Sequence, residues 1–415
     1  MPTYSWICCQ IGAREHYSIP RALHQAGQLQ YLITDAWVPP RSPIHHLPGS
    51  VSQSLAERYH TDLKTAHVQS FTASLIPFEL RQTVSQTTGW SRILARNQWF
   101  QHHALISLKA LSAKLKPGDR PILFSYSYAA LELFRYAKQQ GWCNVLGQID
   151  PGIVEEQQVA TLHACYGSHY QSSWTPAPEL YWQKWQQECE LADHIIVNST
   201  WSETALVQAS IPKKKIAIAP LAHQAPIEAT TFSRTYPTQF TSVRPLRVLF
   251  LGQIILRKGI AALMESLPYL HQNPVEIWLV GPSDLTLPSA LMKHPQLKWV
   301  ERVPRSHVQN YYQQADVFLL PTHSDGFGLT QLEAQTWKLP VIASRHCGAV
   351  VNHQQNGLIL PEISGKAIAD ALLSCCRHPE YLQYWANQIH SRHAMSCYSL
   401  NQLACTLQNL VNASA

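Results

Sequence analysis

The stretch Leu319-Leu320-Pro321-Thr322-His323-Ser324-Asp325-Gly326-Phe327-Gly328-Leu329-Thr330-Gln331-Leu332-Glu333-Ala334 joins a strand-length apolar run to a glycine-bearing loop and then to a helical pattern. Glycines in such a loop let backbone amides approach an anion closely. The helix N-terminus that follows adds partial positive charge. Asp325 falls on the loop and Glu333 on the helix, eight residues on, so the two carboxylates can take hydrogen bonds from separate sets of hydroxyls. Gln331 occupies the third glycine position of the dinucleotide fingerprint, which argues against a nicotinamide dehydrogenase. An ordinary capped helix after a strand would not explain both glycines, both acids and the second apolar run Lys338–Ser344 together.

Working outward, the same grammar repeats. Phe250-Leu251-Gly252-Gln253-Ile254-Ile255-Leu256-Arg257-Lys258-Gly259-Ile260 ends a strand in glycine and opens a helix with Arg-Lys-Gly. Two adjacent cations beside a helix start suit a diphosphate. Further strands are predicted at Tyr4–Ile11, Gln30–Thr34, Pro121–Ser125, Asn144–Ile149, His194–Asn198 and Lys215–Ala219, and in a second set at Arg247–Gly252, Glu276–Gly281, Lys298–Val300, Asp316–Pro321, Pro340–Ser344 and Gly357–Leu360. Helical patterns lie between most of them, among them Glu15–Ala26, and Thr200-Trp201-Ser202-Glu203 reads as a capping box. Repeated strand–helix units predict α/β architecture with parallel sheets covered on both faces. The Pro-, Thr- and Ser-rich stretch 223–245 separates the two series. The expected division is therefore an N-terminal domain over 1–222, a linker over 223–245, a C-terminal domain over 246–385 and a last helix over 386–415. Ligands of such sheets bind at the carboxyl ends of strands. That singles out Gly252-Gln253, Gly281, Arg302-Val303 and the 322–328 loop.

Composition narrows the classes. The 415 residues are 46% hydrophobic and only 14% charged, which suits two or three packed domains and not a disordered chain. No apolar run reaches the length of a membrane span, and no basic segment precedes the apolar residues of Met1–Gln10, so neither a spanning nor a secreted protein is expected. The ten cysteines form no Cys-x-x-Cys pair and several sit in apolar runs, which points to reduced thiols and a cytoplasmic setting. The 21 histidines form no His-Glu-x-x-His, and His45-His46 and His102-His103 point apart, so no metal site is expected. The net charge of +6 is concentrated in residues 41–116, where nine Lys/Arg face three acids. That favours an anionic partner, although a solvated face explains one excess charge per dozen residues as well. No nucleic-acid partner is expected.

With those residues in place, Asp325–Glu333 followed by Leu339–Ser344 resembles the signature of glycosyltransferase family 4, whose members are retaining, metal-independent enzymes of the GT-B fold. The resemblance is dense from about residue 188 to 380, and also takes in Asp193–Ser199 and Ile216–Pro220. It implies two Rossmann-like domains facing a central cleft and a hexosyltransferase of carbohydrate biosynthesis. The donor would be a UDP-, GDP- or ADP-sugar, bound without a resident cofactor. By position, Glu333 falls where the family holds the donor ribose. Asp325 stands where a glutamate contacts the donor sugar, one methylene shorter here. Arg257 and Lys258 fall on the diphosphate-binding region, with Gln253 where arginine is frequent. Phe327, Gly328, Leu329 and Thr330 match the loop whose amides face sugar and phosphates, and Arg302-Val303 the place where the base is held.

The N-terminal half is thinner in signal. Gly12, Arg14 and His16 follow the first strand on the side expected to face acceptor or donor, and Gln148 and Asp150 stand where many relatives carry a histidine. The acceptor, whether glycan, lipid or small molecule, is not legible. The basic region 41–116, with apolar residues Leu75–Phe78 and Trp99-Phe100, reads either as peripheral docking on the inner face of an anionic membrane or as part of a domain for a soluble acceptor. Two other readings stand beside the transferase: a catalytically silent relative acting as a binding subunit, and a sugar-nucleotide epimerase of the same fold.

Overall fold

The computed structural model describes residues 5–42, 55, 57–116, 119, 121–389 and 396–412. Among the described residues, thirteen strands form two wholly parallel sheets. The first holds β1 (Trp6–Gln10), β2 (Leu29–Thr34), β3 (Val68–Ser70), β4 (Ile122–Tyr126), β5 (Cys143–Gln148), β6 (His194–Val197) and β7 (Ile216–Ile218) in the order β3-β2-β1-β4-β5-β6-β7. The second holds β8 (Leu246–Leu251), β9 (Val275–Val280), β10 (Leu297–Val300), β11 (Val317–Leu320), β12 (Val341–Ala343) and β13 (Gly357–Ile359) in the order β10-β9-β8-β11-β12-β13. Both are doubly wound Rossmann-like sheets. Each reverses its winding where its first strand meets its fourth, at β1/β4 and at β8/β11, and there the crevice for a ligand opens.

The two-sided burial that parallel strands require is met. β1, β4 and β11 are buried along their whole length, and separate apolar cores lie on the two faces of the first sheet. Every strand named from the sequence is present. β3, three half-exposed residues at a sheet edge, is too short and too polar to show a period.

Three local expectations are corrected. The helix expected from Glu15 begins at Ser18, because Glu15, His16 and Tyr17 all take positive φ (51°, 52° and 59°) and turn the chain before it. The helix Thr200–Gln208 is capped by Ser199, whose side chain accepts from the Ser202 amide, so the cap lies one residue before the expected box. Among the described residues, the last helix expected over 386–415 is the end of helix Pro379–Gln388 and the separate helix Leu400–Asn412.

Residues 223–245 are no free tether. The buried Arg234 guanidinium donates to the carbonyls of Tyr312, Ala315 and Trp337, fastening the stretch to the second sheet's layer. Helix Leu400–Asn412 returns to the first sheet's layer, where Leu403, Leu407 and Val411 are buried with Ile19 and Leu23 of helix Ser18–Gln25. The basic region is also partly neutralised. Arg58 and Arg96 pair with the fully buried Asp35, and Arg92 and Arg96 with Glu79. His45 and His46 lie outside the described residues.

Candidate active site

The carboxyl ends of β8, β9 and β11 set the floor of a cleft. A side chain on Gly281 would put its Cβ 2.0 Å from the Gly252 carbonyl, so a glycine is needed at the end of β9 for these turns to touch. The short 3-10 turn Leu256–Lys258 then carries Arg257 and Lys258 to the loop 322–328. Lys258 Nζ forms an ion pair with Asp325. Burial would raise the Asp325 carboxyl, but Lys258, Arg257 and the Phe327 amide outweigh it and hold the group below its ordinary range. Asp325 is an anion in the fold and Lys258 its partner.

The structure brings Asp325, Lys258, Arg257, Gly328, Leu329 and Thr330 together at the mouth of β8 and β11. Glu333 lies one turn into helix Thr330–Thr336 and accepts from the buried Tyr312 hydroxyl at 2.7 Å, which fixes its carboxylate. Val303 is half-buried against the second sheet's core, whereas Arg302 and Gln253 are exposed.

Two assignments change in detail. The Phe327 amide is used by Asp325, and the Phe327 ring is buried against Leu221, Leu332 and Val350, so this residue braces the loop and does not present its amide to a ligand. Arg257 donates to the Ser324 carbonyl at 2.7 Å and pairs with Glu155 of the N-terminal half at 3.3 Å. Its charge is therefore shared across the cleft.

The opposite wall comes from the first sheet. The Gly12 amide donates to Asp35 Oδ1 at 2.8 Å, which holds the loop after β1. Arg14 lies over the Tyr126 ring. Glu15, unremarked in the sequence, is held by Tyr126, Ser18 and Asn198. His16 reaches across to Arg305 at 2.6 Å; burial and that neighbouring cation push it down to about 4, so it is neutral at pH 7. Gln148 is buried, donating to Asp150 and Tyr128 and accepting from Trp185. Asp150 Oδ1 takes three donors: the Tyr128 hydroxyl, Gln148 Nε2 and the Gly152 amide.

The two halves meet at the glycine loop itself. The Gly326 carbonyl accepts from Ser199 at 2.7 Å and from Ser202 at 3.3 Å, and Trp201 donates to Ser324 Oγ at 3.0 Å. A Cβ on Gly326 would lie 2.1 Å from the Ile149 carbonyl. Ser324 Oγ also donates to Glu155 at 2.7 Å. Trp201 and Ser202 were read from the sequence only as part of a capping box and Ser199 only as the end of a family-like stretch, and Glu155 was not singled out. Their signal for the site was position, just after β6 and β5, where the switch-point rule already looks. Among the described residues no group of three His, Cys, Asp or Glu could hold a metal, and no helix is long and apolar enough to cross a membrane.

Two facing Rossmann-like domains, with a glycine loop and a lysine–carboxylate pair at the cleft, define a GT-B protein. Residues 245–378 match the family described as Glycosyl transferases group 1. D-inositol 3-phosphate glycosyltransferase of Saccharomonospora viridis is 33% identical over 137 residues, covering 30% of this chain and 32% of that protein. The chain matches only about a third of the length of such curated relatives. Sucrose-phosphate synthase of Thermosynechococcus elongatus superposes with a TM-score of 0.67 at 18% identity, covering 99% of this chain and 98% of its own. HepE of Anabaena, solved with UDP and glucose, superposes with a TM-score of 0.60 at 13% identity over 99% and 100%. At these identities the solved structures establish the fold alone.

Proposed function

We propose that the protein transfers a hexosyl group from a nucleoside diphosphate sugar to an acceptor hydroxyl, with retention at the anomeric carbon and without a metal. The observation that carries this is the pairing of Lys258 with Asp325 of the Ser324–Thr330 loop, which packs at Gly326 against the Ile149–Asp150 turn of the other domain. In this reading Glu333 holds the ribose, Lys258 and Arg257 carry the charge that develops on the leaving diphosphate, and Asp325 orients both Lys258 and the donor sugar. The C1–O bond to the diphosphate breaks as the acceptor oxygen bonds to C1 on the same face. The acceptor's proton passes to the departing phosphate oxygen, so no protein base is needed. A UDP-sugar is the first donor to test, since HepE was solved with UDP and glucose.

The test is release of free nucleoside diphosphate from UDP-, GDP- and ADP-sugars with a panel of hydroxyl acceptors, with the product anomer read by NMR. One donor series should turn over, unaltered by EDTA, and Lys258→Ala should slow it by about 10²-fold or more. Nucleotide-sugar binding without turnover under any acceptor would favour the silent-relative reading, and an epimerised nucleotide sugar would favour the epimerase.

A further inference from the structure

A cavity of about 280 Å³ opens beside Arg257, between the loop after β5 and the turn after β8. Its walls are aromatic. Tyr128 is stacked on Tyr181 with centroids 4.6 Å apart and an interplanar angle of 17°, and Trp174 on His163 at 4.6 Å and 16°. All four rings line the cavity. The walls are also fixed in place before any ligand arrives. Tyr128 takes a left-handed φ of 75°, a strained conformation for such a side chain. Its amide donates to the buried Glu188 at 2.6 Å and its hydroxyl to Asp150 at 2.6 Å. The segment carrying Trp174 is fastened by Trp90, whose indole donates to the Thr175 carbonyl at 3.0 Å, and by Glu156, which accepts from the Ala177 amide at 2.6 Å.

The polar lining is one-sided. Four carboxyl groups, Asp150, Glu155, Glu156 and Asp284, face one guanidinium, Arg257, and that guanidinium already pairs with Glu155. His163 adds no positive charge at neutral pH, since burial lowers it from its usual range. Burial raises the Glu155 and Glu156 carboxyls, so these two keep a proton to higher pH than a solvated carboxyl would. Asp150 Oδ2 has no protein donor among the described residues and can accept from a ligand hydroxyl. An anionic acceptor would meet carboxylates there with no unpaired cation. Apolar ring faces beside hydroxyl-accepting carboxyls suit the C–H face and the rim of hydroxyls of a neutral pyranose.

We infer that this cavity takes a saccharide without anionic groups as acceptor, stacked on Trp174 and the Tyr128–Tyr181 pair, with its hydroxyls on Asp150 and Glu155. The inference rests on the transferase reading, because the cavity meets the glycine loop through Glu155 and Ser324 and so places an acceptor next to the donor sugar. It excludes phosphorylated sugars as the preferred class.

The test is saturation-transfer NMR on the full chain, with UDP present, using methyl glucosides, galactosides and mannosides, the corresponding disaccharides and glucose 6-phosphate. A neutral saccharide should bind at least tenfold more tightly than the phosphorylated probe. Trp174→Ala should weaken it at least tenfold with UDP affinity unchanged, and Trp174→Phe should restore most of the binding. UDP binding with no neutral saccharide bound, or tighter binding of glucose 6-phosphate, would overturn the inference and leave the donor reading standing. Saccharide binding lost in Trp174→Ala, with no nucleotide bound by either protein, would support the cavity and overturn the donor reading.

Discussion

Lys258 and Asp325 are the residues on which the chemistry turns. Their loops leave different strands, and the ion pair that joins them forms only because β8 and β11 are neighbours in the sheet. Lys258→Ala removes the charge opposite a leaving diphosphate and leaves Asp325 buried without its partner. A fall of about 10²-fold or more in kcat/KM is expected, the scale seen when one preorganised donor is lost. Glu155 makes a separate prediction. It is faced by Arg257, Asp150, Ser324 and Asp325, and burial raises its carboxyl. In the fold it stays protonated to higher pH than in the unfolded chain, so its contribution to stability is present below about 4.5 and is lost as pH rises. As it ionises it tightens on Arg257 and competes with the diphosphate. UDP-sugar affinity should weaken by up to about tenfold between pH 6 and pH 8, one pKa unit's worth of free energy, and Glu155→Gln should flatten that profile in calorimetric titrations. A sloping profile in the variant would count against the competition.

At the scale of elements, the helix Thr200–Gln208 is the clearest device. Its cap, Ser199, holds the Gly326 carbonyl while Ile149 leaves no room for a side chain on Gly326. Gly326→Ala forces the loop and the β5 turn apart. It should cost about 1–3 kcal/mol of stability, the range for overpacking, and lower activity more than Ser199→Ala does; thermal unfolding and turnover of both variants check the order. These elements also mark what the sequence could disclose. The strands β1, β8 and β11 were legible because parallel strands buried on both faces read as continuous apolar runs. Asp325 and Glu333 were legible because glycines and acids alternate at fixed spacing after such a run. The β3 edge was not legible, because three half-exposed residues carry no period. Nor was the part played by Glu155, Ser199 and Trp201, whose value lies in contacts across the cleft at sequence separations of more than 100 residues. The Phe327 ring looked like part of a ligand loop, and only the packing of Leu221, Leu332 and Val350 around it assigns it to the core.

At the scale of the molecule, the two domains are joined at both ends of the cleft. Ser199 and Glu155 bind the glycine loop on one side, and His16 meets Arg305 on the other. Leu400–Asn412 packs back on Ser18–Gln25, with Leu407 fully buried. Leu407→Ala should cost about 2–5 kcal/mol by the usual scale for a buried leucine, read as a lowered melting temperature with the donor affinity of the folded protein unchanged. A weakened donor affinity would mean that the helix also sets the closure of the cleft. The central claim is that the glycine loop of the C-terminal domain is a nucleotide-sugar site. The most direct measurement is the melting temperature of the wild type and of Glu333→Ala across UDP-, GDP- and ADP-sugars, since a ligand bound to the native state must raise it. The account predicts stabilisation by one nucleotide series in the wild type and its loss in the variant. Equal stabilisation of both proteins, or none of either by any nucleotide sugar, would contradict it.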